Sequence, residues 1–139
     1  MRARNPATAA ILVAAFCVSI PAALAQTALL DGRTFVADGG EKGKAADELG
    51  DVLTFANGEF HSSACDKYGY GKGTYKATKV GEAIEWQAET TSEKYGKNTW
   101  KGTVKGSDIE GTFVHQRKGW LLNPNPDPID HWFKGKAKS

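Results

Sequence analysis

The chain has 139 residues, 40% of them hydrophobic and 24% charged, which suffices for one buried core and is too little for two ordinary domains. Its formal net charge is +2, with 18 Lys and Arg interspersed among 16 Asp and Glu. No concentrated basic face is present, which argues against nucleic acid as a partner.

Arg2 and Arg4 open the chain, an apolar run extends from Ala9 through Ile20, and Ala23-Leu24-Ala25 supplies the small residues of a cleavage site before Gln26. This order predicts a signal-peptide helix over residues 1–25, the run being short for a membrane anchor. Cys17 sits inside the run, too early for a lipid attachment site, and reads as part of the signal. The mature protein is expected to be secreted or periplasmic, a single domain over residues 26–139, with no membrane span. Loss of Arg2 and Arg4 leaves 16 basic against 16 acidic residues. Cys65 is then the only cysteine, so no internal disulfide is expected and the core must hold the domain together.

Beyond the signal, short alternating segments are separated by turn residues every eight to twelve positions, the pattern of an all-β domain. The predicted strands are Arg33–Ala37, Asp51–Ala56, Glu59–Ala64, Gly73–Lys79, Ala83–Thr90, Asn98–Lys105, Ile109–Arg117 and His131–Ala137. Asn57-Gly58 between the second and third is a strong hairpin signal. Helix is nearly absent from the pattern: the only candidate is Lys44–Leu49, one or two turns at most and too short to be stable alone. Eight sequential strands with short connections predict an antiparallel up-and-down meander barrel, since closure removes the sheet edges. A β-sandwich is the alternative.

Strand parity gathers Phe35, Leu53, Phe55, Phe60, Tyr75, Ala77, Ile84, Trp86, Trp100, Val104, Ile109 and Phe113 on one face, with Ser62, Ala88, Gly102 and Gly111 among them. Large rings beside small residues suit either an interdigitated core or an aromatic-lined cavity, because barrels of eight strands do both. The candidate ligand wall is Tyr75, Trp86, Trp100 and Phe113, with His115, two residues beyond Phe113, as a polar handle.

Two loops are candidate interaction surfaces. Cys65 begins a Gly-rich connection, and three readings of it stand open: a buried small side chain, an intermolecular disulfide partner, or a thiol activated by Lys67. The connection Gly119–Asp130 carries Trp120, Leu121 and Leu122, apolar for a loop, and three prolines that keep it extended. They would form a lid over one barrel mouth or a patch for another protein. No metal site is expected: His61 and Cys65 share parity but zinc needs three or four ligands, and Asn123, Asn125 and Asp127 lack the glycine and terminal Glu of a calcium loop. The sequence contains no nucleophile elbow, no H-E-x-x-H and no phosphate loop, so neither catalysis nor a cofactor is expected.

The run Trp100-Lys-Gly-Thr-Val-Lys-Gly-Ser-Asp-Ile-Glu-Gly-Thr-Phe, with His131-Trp-Phe-Lys-Gly near the end, resembles the late hairpin and closing strand of lipocalin-like (calycin) barrels, avidin-type barrels among them. The avidin-type biotin site is not carried over, for lack of a further strand. A partial resemblance to secreted META/HslJ-type domains covers Leu53-Thr-Phe-Ala-Asn-Gly-Glu-Phe, Ala64-Cys65-Asp66 and Gly73-Thr-Tyr75. Here Asp66 replaces that family's Asn and its later cysteine is absent. The lipocalin-like resemblance implies a non-catalytic binding protein for a small apolar or amphipathic ligand. The alternative is an exported protein-interaction module, an inhibitor or envelope-stress factor, acting through the loops.

Overall fold

The computed structural model describes residues 29–139; the expected signal peptide, Cys17 and the cleavage point lie outside them. Alternating apolar and polar residues build eight strands: β1 (Thr34–Glu41), β2 (Glu48–Ala56), β3 (Glu59–Ser62), β4 (Gly73–Val80), β5 (Ala83–Ser92), β6 (Gly96–Lys105), β7 (Asp108–Arg117) and β8 (Ile129–Ala137). Each pairs antiparallel with the next, and β8 returns to β1 from Phe35↔Ala137 to Glu41↔His131. That last ladder closes the sheet into an up-and-down barrel and removes the sandwich alternative.

No helix forms at Lys44–Leu49. The Lys44 N–H closes a turn on the Glu41 carbonyl at 2.9 Å, Gly43 takes φ 80°, and the chain joins β2 at Glu48. A segment this short gains more from cross-strand partners than from one helical turn. The third strand also stops early, at Ser62, where a short 3-10 helix takes over at Ser63–Tyr68. Asp51 fixes that corner: its carboxylate accepts from the Ala64 N–H at 2.9 Å, Ser63 Oγ at 3.1 Å and Ser62 Oγ at 2.6 Å.

The two ends of the barrel differ. At one end the strands join through the two-residue turns Asn57-Gly58, Gly81-Glu82 and Gly106-Ser107. Asn57 and Gly58 have φ of 53° and 73°, and Gly81 and Gly106 have 61° and 59°, the primed-turn conformations that follow strand twist. Residues 29–33 cross this end. Leu30 is fully buried there, and its N–H donates to Tyr75 Oη at 3.2 Å while that hydroxyl donates to Asp31 Oδ1 at 2.6 Å. At the other end the connections are long: 42–47, 63–72 and 118–128, with 93–95 between β5 and β6.

The closed half is filled. Phe35, Phe55, Phe60, Tyr75 and Leu53 have no exposed surface, and Trp86 lies within 4.9 Å, centroid to centroid, of both Phe55 and Phe60. The outward positions of β5, Glu85, Gln87 and Glu89, are exposed. The outer wall is therefore solvated there, unlike the apolar band of a membrane barrel.

Candidate binding site

Inward positions change character along the barrel axis. The buried polar side chains are Ser62, Thr90, Ser92 and Asn98, which sit where β3 and β5 end and where β6 begins. All are therefore at the long-loop end, above the aromatic plug. There the interior opens into a cup of about 480 Å³, within the range of small-molecule sites.

Two cross-strand rungs of β6, β7 and β8 build one wall of the cup. In the deeper rung Trp100 pairs with Phe113, which pairs with His131. Trp100 and Phe113 stack with centroids 4.2 Å apart, and Phe113 and His131 stack at 4.5 Å with a 3° interplanar angle. The next rung toward the mouth is Asn98, His115 and Ile129. Asn98 Oδ1 lies 2.8 Å from His115 Nδ1, and Tyr70 Oη lies 3.1 Å from the same nitrogen. With the Asn98 amide donating toward Cys65 Sγ at 3.8 Å, its oxygen accepts from Nδ1–H and leaves the lone pair on Nε2. Burial lowers the pKa of His115, with His131 and Arg117 adding to the effect. Burial also lowers that of His131, against the opposing pull of Asp47, Glu41 and Asp130.

The facing wall is acidic. Asp38, Asp47, Glu48 and Asp51 line it, with Lys67 the only Lys or Arg on the cup lining. Lys67 pairs with Glu48 at 3.5 Å. Cys65 lies between the walls. Burial pushes its thiol up to about 11, so it is protonated at neutral pH and Lys67 does not activate it. His61 is on the outside, its Nε2 2.6 Å from Asp66 Oδ1, and so does not combine with Cys65. Among the described residues no cluster of three or more His, Cys, Asp or Glu is placed to hold a metal ion.

Of the residues singled out from the sequence, Trp100, Phe113, His115 and Cys65 line the cup, whereas Tyr75 and Trp86 do not. Tyr75 reaches the closed end through Asp31, and Trp86 is held in the plug against Phe55 and Phe60. Trp120, Leu121 and Leu122 form no lid: they are 55%, 94% and 89% exposed at the mouth end. Asn98, His131 and Tyr70 were not singled out. Asn98 shares parity with Trp100, so a polar residue at an inward position was a readable signal. Tyr70 sits in a Gly-rich connection whose inward turn no periodicity marks.

A larger concavity of about 800 Å³ lies on the outer face over Gly102 and Gly111. Its rim is Lys76, Glu85, Lys101 and Lys134, all exposed. The buried rings of Trp86 and Phe133 underlie it, with the Trp86 Nε1–H lacking a hydrogen-bond partner among the described residues, and its rim of solvated charges of both signs makes it the weaker candidate. No protein-family model matches the chain, and neither the curated proteins nor the solved structures contain a significant match.

Proposed function

We propose that this is an exported, non-catalytic binding protein of the lipocalin-like kind that holds a small amphipathic ligand in the cup. The observation that carries the reading is the pairing of a stacked aromatic wall, Trp100–Phe113–His131, with an acidic wall across about 480 Å³. A planar apolar body gains burial and stacking against the first wall. The lining holds four acidic residues against one lysine, with Asp51 engaged by Ser62, Ser63 and Ala64 and Glu48 by Lys67, and this acidic excess favours a polar end that donates hydrogen bonds or carries a positive charge. A non-catalytic role is supported by Cys65, protonated and separated from His115 by the Asn98 amide.

The test is titration with a matched pair of probes, a naphthyl-alkylammonium and a naphthalene sulfonate, read by tryptophan fluorescence. The ammonium compound is expected to saturate the signal and to bind more tightly than the sulfonate. Phe113→Ala should weaken it about tenfold or more, because the ring's burial against the ligand is lost. Absence of saturable binding by either probe, or binding indifferent to Phe113→Ala, would sink the proposal. A second reading, a protein-interaction module acting through loops 65–72 and 119–130, is favoured by the exposure of Trp120, Leu121 and Leu122.

A further inference from the structure

We infer that the β7–β8 loop is a membrane-surface anchor that inserts Leu121 and Leu122 into the interfacial layer of a phospholipid bilayer. The inference does not require the ligand reading.

Trp120 and Asn123 exchange two backbone hydrogen bonds, each 3.0 Å, which closes a tight turn with Leu121 and Leu122 at its two corner positions. Turn corners ordinarily carry Gly, Pro, Asn or Asp. Here they carry leucines that are 94% and 89% exposed. The turn is also braced. Pro124, Pro126 and Pro128 limit the backbone behind it, and Gln116 Nε2 donates to the Pro126 carbonyl at 3.0 Å. Gly119 packs so tightly on the Pro124 backbone that a Cβ at Gly119 would lie 1.9 Å from the Pro124 oxygen. The tip is thus a preorganised apolar point, and little further ordering entropy is lost when it is buried.

The polarity around the tip follows that of a bilayer read from the inside out. Leu121 and Leu122 are outermost, suited to acyl chains, and Trp120 stands at the shoulder, suited to the interfacial belt. Arg117 and Lys118 form the base, where lipid phosphates lie. The adjoining β5–β6 connection continues this level: Lys118 N–H donates to the Tyr95 carbonyl at 3.0 Å, and Lys94 Nζ sits 5.2 Å from the Tyr95 ring centroid. Tyr68 packs on Tyr95 at 5.4 Å, and both are partly exposed at the same end of the barrel. Glu93 and Asp127 are the nearby acids, so the base is only weakly cationic and the leucines must supply the binding. The three apolar side chains of the tip expose on the order of 400 Å². A stable interface with a second copy or another folded protein buries about 800 Å² per partner. A bilayer needs no shape complement and accepts a small convex wedge.

The experiment uses the chain from Gln26, which omits the apolar run Ala9–Ile20 and retains every described strand and core residue. It is floated with vesicles of phosphatidylcholine alone and of phosphatidylcholine with phosphatidylglycerol. Binding to both is expected, and persistence at high salt, since the wedge is apolar. Trp120 emission should shift to the blue and be quenched by lipids brominated high on the acyl chain. Leu121→Ser/Leu122→Ser should lower the partition coefficient at least about tenfold, with an unchanged urea midpoint because neither side chain is packed. Trp120→Phe should abolish the blue shift and retain flotation. The inference is overturned by no flotation on either vesicle, by flotation insensitive to the double substitution, or by binding lost at high salt. It is equally overturned if the double substitution converts a dimer into a monomer, which would assign the tip to self-association.

Discussion

His115 and His131 show how position within the barrel sets the chemistry of a residue. Both are half-buried on the cup wall, and desolvation lowers the pKa of each below the ordinary 6.5. A group whose folded pKa is lowered contributes stability that is fully present above the unfolded value and is lost as pH falls through the folded one. The urea midpoint is therefore expected to fall as pH drops from about 7.5 to about 5, and His115→Gln should flatten that slope. Glu41 and Asp108, whose carboxyls Lys44 and Lys136 hold below their ordinary 4.5 and 3.8, act only at still lower pH. A midpoint that rises on acidification over this window would contradict the placement of both imidazoles. Parity in the sequence put both His115 and Asn98 on the inner face, but not the contact between them or the neutral state of the imidazole. Those depend on depth along the barrel axis, which alternation does not encode.

Between strands, the interior is organised in rungs, and the rung below the cup explains a pair of glycines. Trp86, Gly102, Gly111 and Phe133 are successive register partners across β5, β6, β7 and β8. The two large rings spread over the two glycines, with centroids 5.9 Å apart. A Cβ at Gly102 would lie 2.8 Å from the Trp86 indole, and one at Gly111 would lie 2.1 Å from the Lys101 carbonyl oxygen and 2.6 Å from the Gly102 Cα. Backbone cannot yield as a side chain does. Gly111→Ala is expected to cost about 2–3 kcal/mol in urea denaturation, against about 0.5 kcal/mol or less for the exposed neighbour Thr112→Ala. Equal effects would show that the strands part freely here. The eight strands were legible because their periods were clean, and so was the mixture of rings and small residues. The fit of ring over glycine needed the register, because Trp86 and Gly102 are joined only by the β5–β6 ladder. The candidate turns at Lys44–Leu49 do not form for the same reason: the partners of this segment, such as Gly39 accepting from the Asp47 N–H at 3.0 Å, lie on another strand.

At the scale of the molecule, the sequence implied a closed barrel with an interior either packed or hollow, and the structure divides the two along its axis. Tyr75, Leu30 and the phenylalanine cluster close one end, while Asn98, His115 and Tyr70 open the other. The division follows from the lengths of the connections. Two-residue turns draw the strands together over the plug, and longer loops leave room for inward polar side chains that retain access to solvent. The tip carrying Leu121 and Leu122 stands at the same end as the cup, so a surface that receives the tip also faces the opening.

The contrast in connection length has a consequence for redesign. Lengthening a flexible loop costs little, about 0.6 kcal/mol for each doubling, so the segment at 42–47 offers a site for grafted peptides. Three glycines inserted after Gly43 are expected to leave the urea midpoint nearly unchanged, whereas the same insertion between Asn57 and Gly58 should lower it sharply by spoiling the hairpin. Variation is thus cheap on the face that meets the surroundings and costly on the face that holds the barrel shut, which makes this chain a scaffold with one editable side.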